Sequence, residues 1–352
     1  MRALGLVFKR MILRVIKEEN KVKKRTLMIF VILAMMLNLV TLTIAAPKEK
    51  LMVYTSMKEH LIGQLRDGFL TKYPGVQFDY YSAGAGKLMA KIATERQAGK
   101  IAADVIWTSE IPDFYQMKAE GILEKYVSPE ASKIVSPVKD KDGYFTPARL
   151  GTLGIAYNTN KIKNPPTKWE DLLGREFEGG FGIANPALSG TAMVSVAMIV
   201  ENLGWDYIEK LRANGAKMGQ GSGQVVDDTA MGDLKACIAV DYITISKIEK
   251  GATLGFAYTS QMLVIPSPLA IFKGTPNLGT AKKFVDFMLS KEGQTIIANS
   301  LTLPIRQDVP IVKNVGLVTP EEAVKRAMPI DYEQLIINKP AIIDKFTAIM
   351  TK

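Results

Sequence analysis

Cysteine and histidine are almost absent: Cys237 and His60 stand alone among 352 residues. A single thiol excludes an internal disulfide, and the two residues together exclude the usual zinc sites and a cysteine-ligated iron–sulfur cluster. A Ser–His–Asp triad would have to recruit His60. Beyond the first 45 residues the chain also lacks internal repeats, low-complexity stretches and a basic surplus. The net charge of +10 comes from 45 Lys+Arg against 35 Asp+Glu, but residues 1–45 hold nine bases and two acids. The remainder is near neutral, so no nucleic-acid partner is expected. Apolar residues make up 47% and the length suits about two domains.

What the N-terminal segment does contain is the pattern of a secretory signal. A cationic stretch ending at Arg25 precedes the apolar run Leu27–Leu42, interrupted only by Asn38 and Thr41. Thr43 and Ala45 are small residues at positions −3 and −1 of a cleavage after Ala45, and Pro47 follows. The alternative is a retained anchor, for which the run is short of the roughly 20 residues a spanning helix needs. Residues 1–45 therefore read as a signal peptide, with a mature chain from Ala46 located outside the cytoplasm, in the periplasm. No cysteine stands near the exit to carry a lipid.

The mature chain reads as α/β. Short apolar strands at Leu51–Tyr54, Val76–Tyr80 and Val105–Trp107 each lead through a small polar loop into an amphipathic helix. Ser56 with Glu59 suggests a capping box, and a helix begins near Pro112. Alternation of this kind implies parallel strands with ligands at their carboxyl ends. A second set follows Gly151: strands Leu153–Tyr157, Phe181–Ile183 and Ile238–Val240, with loops at 185–191 and 219–223. Leu263–Ile265 and Leu269–Phe272 read as a return crossing. Helices are expected over Leu278–Leu289 and Glu292–Asn299.

The nucleotide and hydrolase motifs fail on inspection. Before Gly86-Lys87 a P-loop needs glycine where Tyr81 stands, and after it Ser or Thr where Leu88 stands. Around Gly219 the dinucleotide fingerprint meets Gln224, and a Gly-x-Ser-x-Gly elbow meets Gln220. Asp227-Asp228 reads as a solvated helix face, His60 as a surface or rim residue, and Cys237 as core. With no nucleophile–base pair, an enzyme is not expected. Loops of Gly, Ser and Thr at helix N-termini instead offer N–H groups to an anion.

The segments Tyr54–Glu59, Asp79–Lys87, Asp104–Glu110, Asn185–Ala192 and Ala239–Tyr242 carry a resemblance. Over residues 50–310 the chain resembles the extracytoplasmic solute-binding proteins of ABC importers, in the branch that takes ferric ion, hexose phosphates, phosphonates and thiamine. The resemblance implies a two-lobed type 2 periplasmic-binding fold with two crossover strands, near 149–157 and 261–270. Residues 46–150 with 262–352 would form one lobe and 151–261 the other, closing as a hinge. It also implies a small anionic solute, an ABC permease as partner, a monomer and no cofactor. Contacts to the solute are expected from Thr55, Ser56, Ser82, Gly84, Ser109 and Glu110 on one side. Thr152, Ser189, Gly190, Thr191, Ser222, Gly223, Asp241 and Tyr242 are expected on the other. Ferric members of the branch bind through adjacent tyrosines where Asp241-Tyr242 stands here. A ferric site would have to use Asp241, Tyr242 and Glu110, which favours a sugar phosphate or phosphonate. The acidic residue that hexose-phosphate members carry near Thr259-Ser260-Gln261 is absent.

Overall fold

Two parallel three-stranded arrays are joined by a pair of long antiparallel strands. The first array consists of β1 (Lys50–Thr55), β2 (Gln77–Ser82) and β3 (Val105–Trp107); the second of β5 (Phe181–Ala184), β6 (Lys217–Gly219) and β7 (Ala236–Val240). Between them lie β4 (Thr146–Asn158) and β9 (Leu263–Ile271), giving the order β2-β1-β3-β9-β4-β7-β5-β6, with β8 (Leu254–Ala257) also pairing with β4. The computed structural model describes residues 49–134, 136 and 140–352, the side chain of residue 333 excepted, and four single positions at 17, 18, 21 and 28. Glu49–Lys352 forms one unit. The expected leader, its apolar run and the exit at Ala45 lie outside the described residues. Among the described residues no helix is long and apolar enough to cross a membrane.

The crossing strands follow from composition. All nine residues of β9 are buried, as are eleven of the thirteen in β4, so both are covered on two faces, although β4 carries Arg149 and Thr152 among its apolar residues. Pro266 and Pro268 do not split β9 in two; they pair with Leu150 and Pro147 of β4, next to a register shift between Pro147 and Arg149. Proline donates no ladder hydrogen bond, so these two positions add no N–H donor to the β4–β9 pairing.

Helices fill the connections. α1 (Glu59–Lys72) buries Leu61, Ile62, Leu65 and Phe69, and α2 (Ala85–Gln97) buries Leu88 and Ile92. α3 (Ile111–Ala119) follows β3 with Pro112 in its first turn, where the missing N–H costs nothing. α4 (Gly190–Leu203) is buried over most of its circumference, as a core helix should be. α5 (Trp205–Ala213) and α6 (Ser222–Met231) flank β6, and α7 (Asp241–Glu249) starts directly at the end of β7. The expected capping box is not formed: the residue before α1 is Lys58, with no side-chain cap bond, and Ser56 lies in the preceding loop.

The C-terminal part adds α8 (Leu278–Leu289), α9 (Lys291–Asn299), α10 (Pro320–Arg326) and α11 (Tyr332–Met350). Phe284 and Phe287 of α8 meet Phe69 edge-on at 5.4 and 5.6 Å, and Phe78 meets Phe284 at 5.2 Å. Such pairs add about 0.5–1.5 kcal/mol each beyond burial. α11 packs against α3 and also against α4 and α5, so it spans both arrays.

Candidate functional site

A cavity of about 460 Å³ opens where the carboxyl ends of the two parallel arrays meet. Five helices begin at its wall: α1 after Lys58, α2 after Gly84, α4 after Ser189, α6 after Gly221 and α7 at Asp241. Each leaves unpaired N–H groups and a partial positive charge at its start. The closeness of the two walls depends on glycine. A side chain on Gly84 or Gly86 would collide with the backbone carbonyls of Leu188 and Ala187 on the facing loop.

On the wall of the second array three hydroxyls form a ring. Ser189 Oγ lies 3.0 Å from Thr191 Oγ1 and 2.8 Å from Ser222 Oγ, and Thr191 and Ser222 are 2.8 Å apart. Ser189 also caps α4, accepting from the Ala192 amide. A hydroxyl has one proton, so a closed ring spends all three inward; an anion with several oxygens opens it and takes those donors. On the opposite wall Ser82 Oγ donates to the Met57 carbonyl at 2.7 Å, and Ser109 pairs with Ser267 at 2.9 Å. Ser56 and Gly84 line the cavity from that side, and Gly190, Gly223 and Tyr242 from the other.

Four expected contacts lie behind the wall rather than on it. Thr55 is fully buried, bonding the Trp107 carbonyl and the Met57 amide, and so shapes the loop that carries Ser56. Asp241 is also fully buried. Its Oδ2 accepts from Thr152 N and Oγ1 (3.2 and 2.9 Å) and from Thr302 Oγ1 (2.9 Å), its Oδ1 accepts from Tyr242 N, and Arg149 is its counter-ion. Burial raises its pKa, with Arg149 and these bonds opposing. Thr152 is spent on Asp241 and Tyr258. Glu110 lies beneath Gly190, where Lys339 of α11 binds both it and Asp113. Burial, reinforced by Asp113, pushes Glu110 up to about 7. Both acids expected at the ligand are thus turned inward, because each found a cation within the fold.

Three cations at the cavity were not expected: Lys58, Lys87 and Arg149. Lys58 donates its backbone N–H to Tyr242 Oη at 2.9 Å, joining the walls, and its ammonium lies beside Gly223. The sequence held a signal for all three. Lys58 and Lys87 sit at helix starts, where the dipole disfavours a cation unless an anion visits. Arg149 interrupts an apolar strand. His60 is half-buried and stacks on Tyr242 at 5.9 Å, and burial lowers its pKa. Asp227 is paired with Lys247 at 2.5 Å, away from the cavity. No group of three or more metal-ligating side chains occurs among the described residues.

Residues 101–336 match a family described as bacterial extracellular solute-binding proteins. A periplasmic protein of Salmonella typhimurium, to which 2-aminoethylphosphonate binding is ascribed, is 26% identical over 258 residues, covering 70% of this chain and 74% of its own. Among solved structures, AfuA of Actinobacillus pleuropneumoniae with fructose 6-phosphate superposes with a TM-score of 0.75 at 25% identity, covering 86% of this chain and 98% of that one. Iron-bound HitA of Pseudomonas aeruginosa gives 0.72 at 24%, covering 84% and 99%. These likenesses show the two-lobed periplasmic-binding fold with β4 and β9 as its crossover strands.

Proposed function

The chain belongs to the bacterial extracellular solute-binding proteins, which are the binding components of ABC importers rather than enzymes, and we propose that its solute is a sugar phosphate. The observation that carries this reading is the hydroxyl ring of Ser189, Thr191 and Ser222 at two helix starts, with the Lys58 ammonium beside Gly223, in a cavity that no carboxylate among the described residues lines. Phosphate supplies the acceptors that the ring, the amides and the lysine lack. The rest of the lining, including Gln220, Gln224 and Ser56, suits sugar hydroxyls. A micromolar complex requires about 8 kcal/mol, within reach of a few charge-assisted hydrogen bonds in a cleft that excludes water.

A phosphonate is the second reading, favoured by the Salmonella relative. It uses the same anion site, but an amine on the ligand would meet no carboxylate at the wall. Ferric ion has less support. It prefers several anionic oxygens, whereas Asp241 is engaged by Thr152 and Thr302 and Tyr242 accepts a hydrogen bond from Lys58. Burial also raises the Tyr242 pKa and opposes a phenolate.

In this reading residues 46–150 with those from 262 onward form one lobe and 151–261 the other, with α11 lying across both. The lobes close over the solute by flexing β4 and β9. The closed form is what a permease in the membrane recognises. The mature chain works as a monomer in the periplasm after removal of residues 1–45 and binds no nucleic acid. Unfolding and refolding the protein to strip bound solute, then screening by thermal shift, tests the ligand class. Fructose 6-phosphate should raise the melting temperature more than 2-aminoethylphosphonate, and ferric citrate least. A larger shift with ferric citrate would overturn the reading.

A further inference from the structure

Arg149 stands in β4, one of the two strands that cross between the arrays, and is 1% exposed. A guanidinium carries five N–H donors, yet only Nη1 has a hydrogen-bond acceptor among the described residues, Thr302 Oγ1 at 2.6 Å. Nε is buried without any. Asp241 Oδ1 lies 3.6 Å from Nη1, near enough for attraction but beyond a hydrogen bond, and the Tyr242 ring is 5.0 Å from the guanidinium carbon. Asp241, by contrast, is satisfied by Thr152, Thr302 and the Tyr242 amide without drawing on those donors. A buried cation this short of acceptors is costly, and among the described residues Arg149 is the one arginine lining the cavity.

We propose that Arg149 is a ligand-binding residue whose free donors close on the phosphate oxygens of the solute from the crossover strand, in the same cavity as the hydroxyl ring. A planar fork matches two phosphate oxygens at once, which a lysine at the same place does not. The inference rests on the anion-site reading above and adds to it. The solute's charge bears on β4 itself as well as on the two walls, so occupancy and the position of the crossing are coupled. It also names the residue that separates a phosphorylated solute from its neutral parent.

The test compares wild type, Arg149→Lys, and the charge-matched pair Arg149→Gln with Asp241→Asn, which leaves no buried charge unpaired. Each refolded protein is titrated calorimetrically with fructose 6-phosphate, and its folding is checked by circular dichroism and cooperative unfolding. Loss of a buried charged partner predicts a drop of at least about 30-fold for the double variant and a smaller drop for Arg149→Lys. A folded double variant binding within three-fold of wild type overturns the inference and leaves the anion site standing. If the double variant does not fold, Arg149→Lys decides, and three-fold again is the limit. Wild type that folds but binds no phosphate ester overturns both.

Discussion

Asp241 and Glu110 are both carboxylates buried beside the cleft, each at the start of a helix and each paired with a cation, yet they are held in different ways. Asp241 accepts hydrogen bonds from two threonine hydroxyls and two amides in addition to the attraction of Arg149. Glu110 shares the single ammonium of Lys339 with Asp113 and has no neutral donor among the described residues to help it. Hydrogen bonds to the charged form are what keep a buried carboxylate ionised. Burial pushes both upward, but at Asp241 Arg149 and four hydrogen bonds oppose the shift, whereas Glu110, with Lys339 alone against burial and Asp113, is raised to about 7.

The sharpest way to break the comparison is at Asp241. Asp241→Ala leaves Arg149 buried without its counter-ion, and chemical denaturation should show a loss of about 3–5 kcal/mol. Asp227→Ala, at an exposed pair, should cost no more than about 1 kcal/mol. Next comes Lys339→Met, which leaves Glu110 and Asp113 facing each other. We expect a loss of about 1–3 kcal/mol at pH 8, shrinking at pH 5, where Glu110 is protonated. An equal loss at both values would mean that Lys339 acts by packing alone.

A third change tests Glu110 by linkage. Its folded pKa lies above the ordinary value near 4.5, so the folded chain holds a proton that the unfolded chain releases. The stabilisation it lends is full below about 4.5 and is lost as pH rises through about 7. Glu110→Gln should remove that fall from the stability–pH curve between these limits, and an unchanged curve would assign the slope to another group. The smallest effects belong to the hydroxyl ring. Ser222→Ala should weaken fructose 6-phosphate binding by about 0.5–1.5 kcal/mol, because helix amides and Lys58 still hold the phosphate. Ser189→Ala should cost slightly more in stability, since Ser189 also caps α4.

Local pattern made much of the frame legible. The strand Val105–Trp107 and the helix Leu278–Leu289 were readable to the residue, and the two crossings were read as strands of an apolar chain. The small hydroxyl loops were legible because Ser, Thr and Gly at helix starts have a local cause. What the sequence did not disclose was which charges face inward. The partners that withdraw the two acids are remote: Thr302 lies 61 residues beyond Asp241, and Lys339 lies 226 beyond Asp113. No periodicity reports such pairings, so Asp241 and Glu110 looked available. The cations at Lys58, Lys87 and Arg149 were discernible only as local rule-breakers, at helix starts and within an apolar strand. The return crossing was legible through Pro266 and Pro268, and it runs as one continuous strand.

The central claim is that this cleft recognises its solute through phosphate. Calorimetric titration of the refolded wild-type chain with fructose 6-phosphate and with fructose, under identical conditions, tests it most directly. The account predicts binding of the phosphate ester at least about 100-fold tighter than the sugar, as expected for charge-assisted hydrogen bonds worth about 1.5–3 kcal/mol each. Equal affinity for the two, or binding of neither by a folded protein, would contradict it.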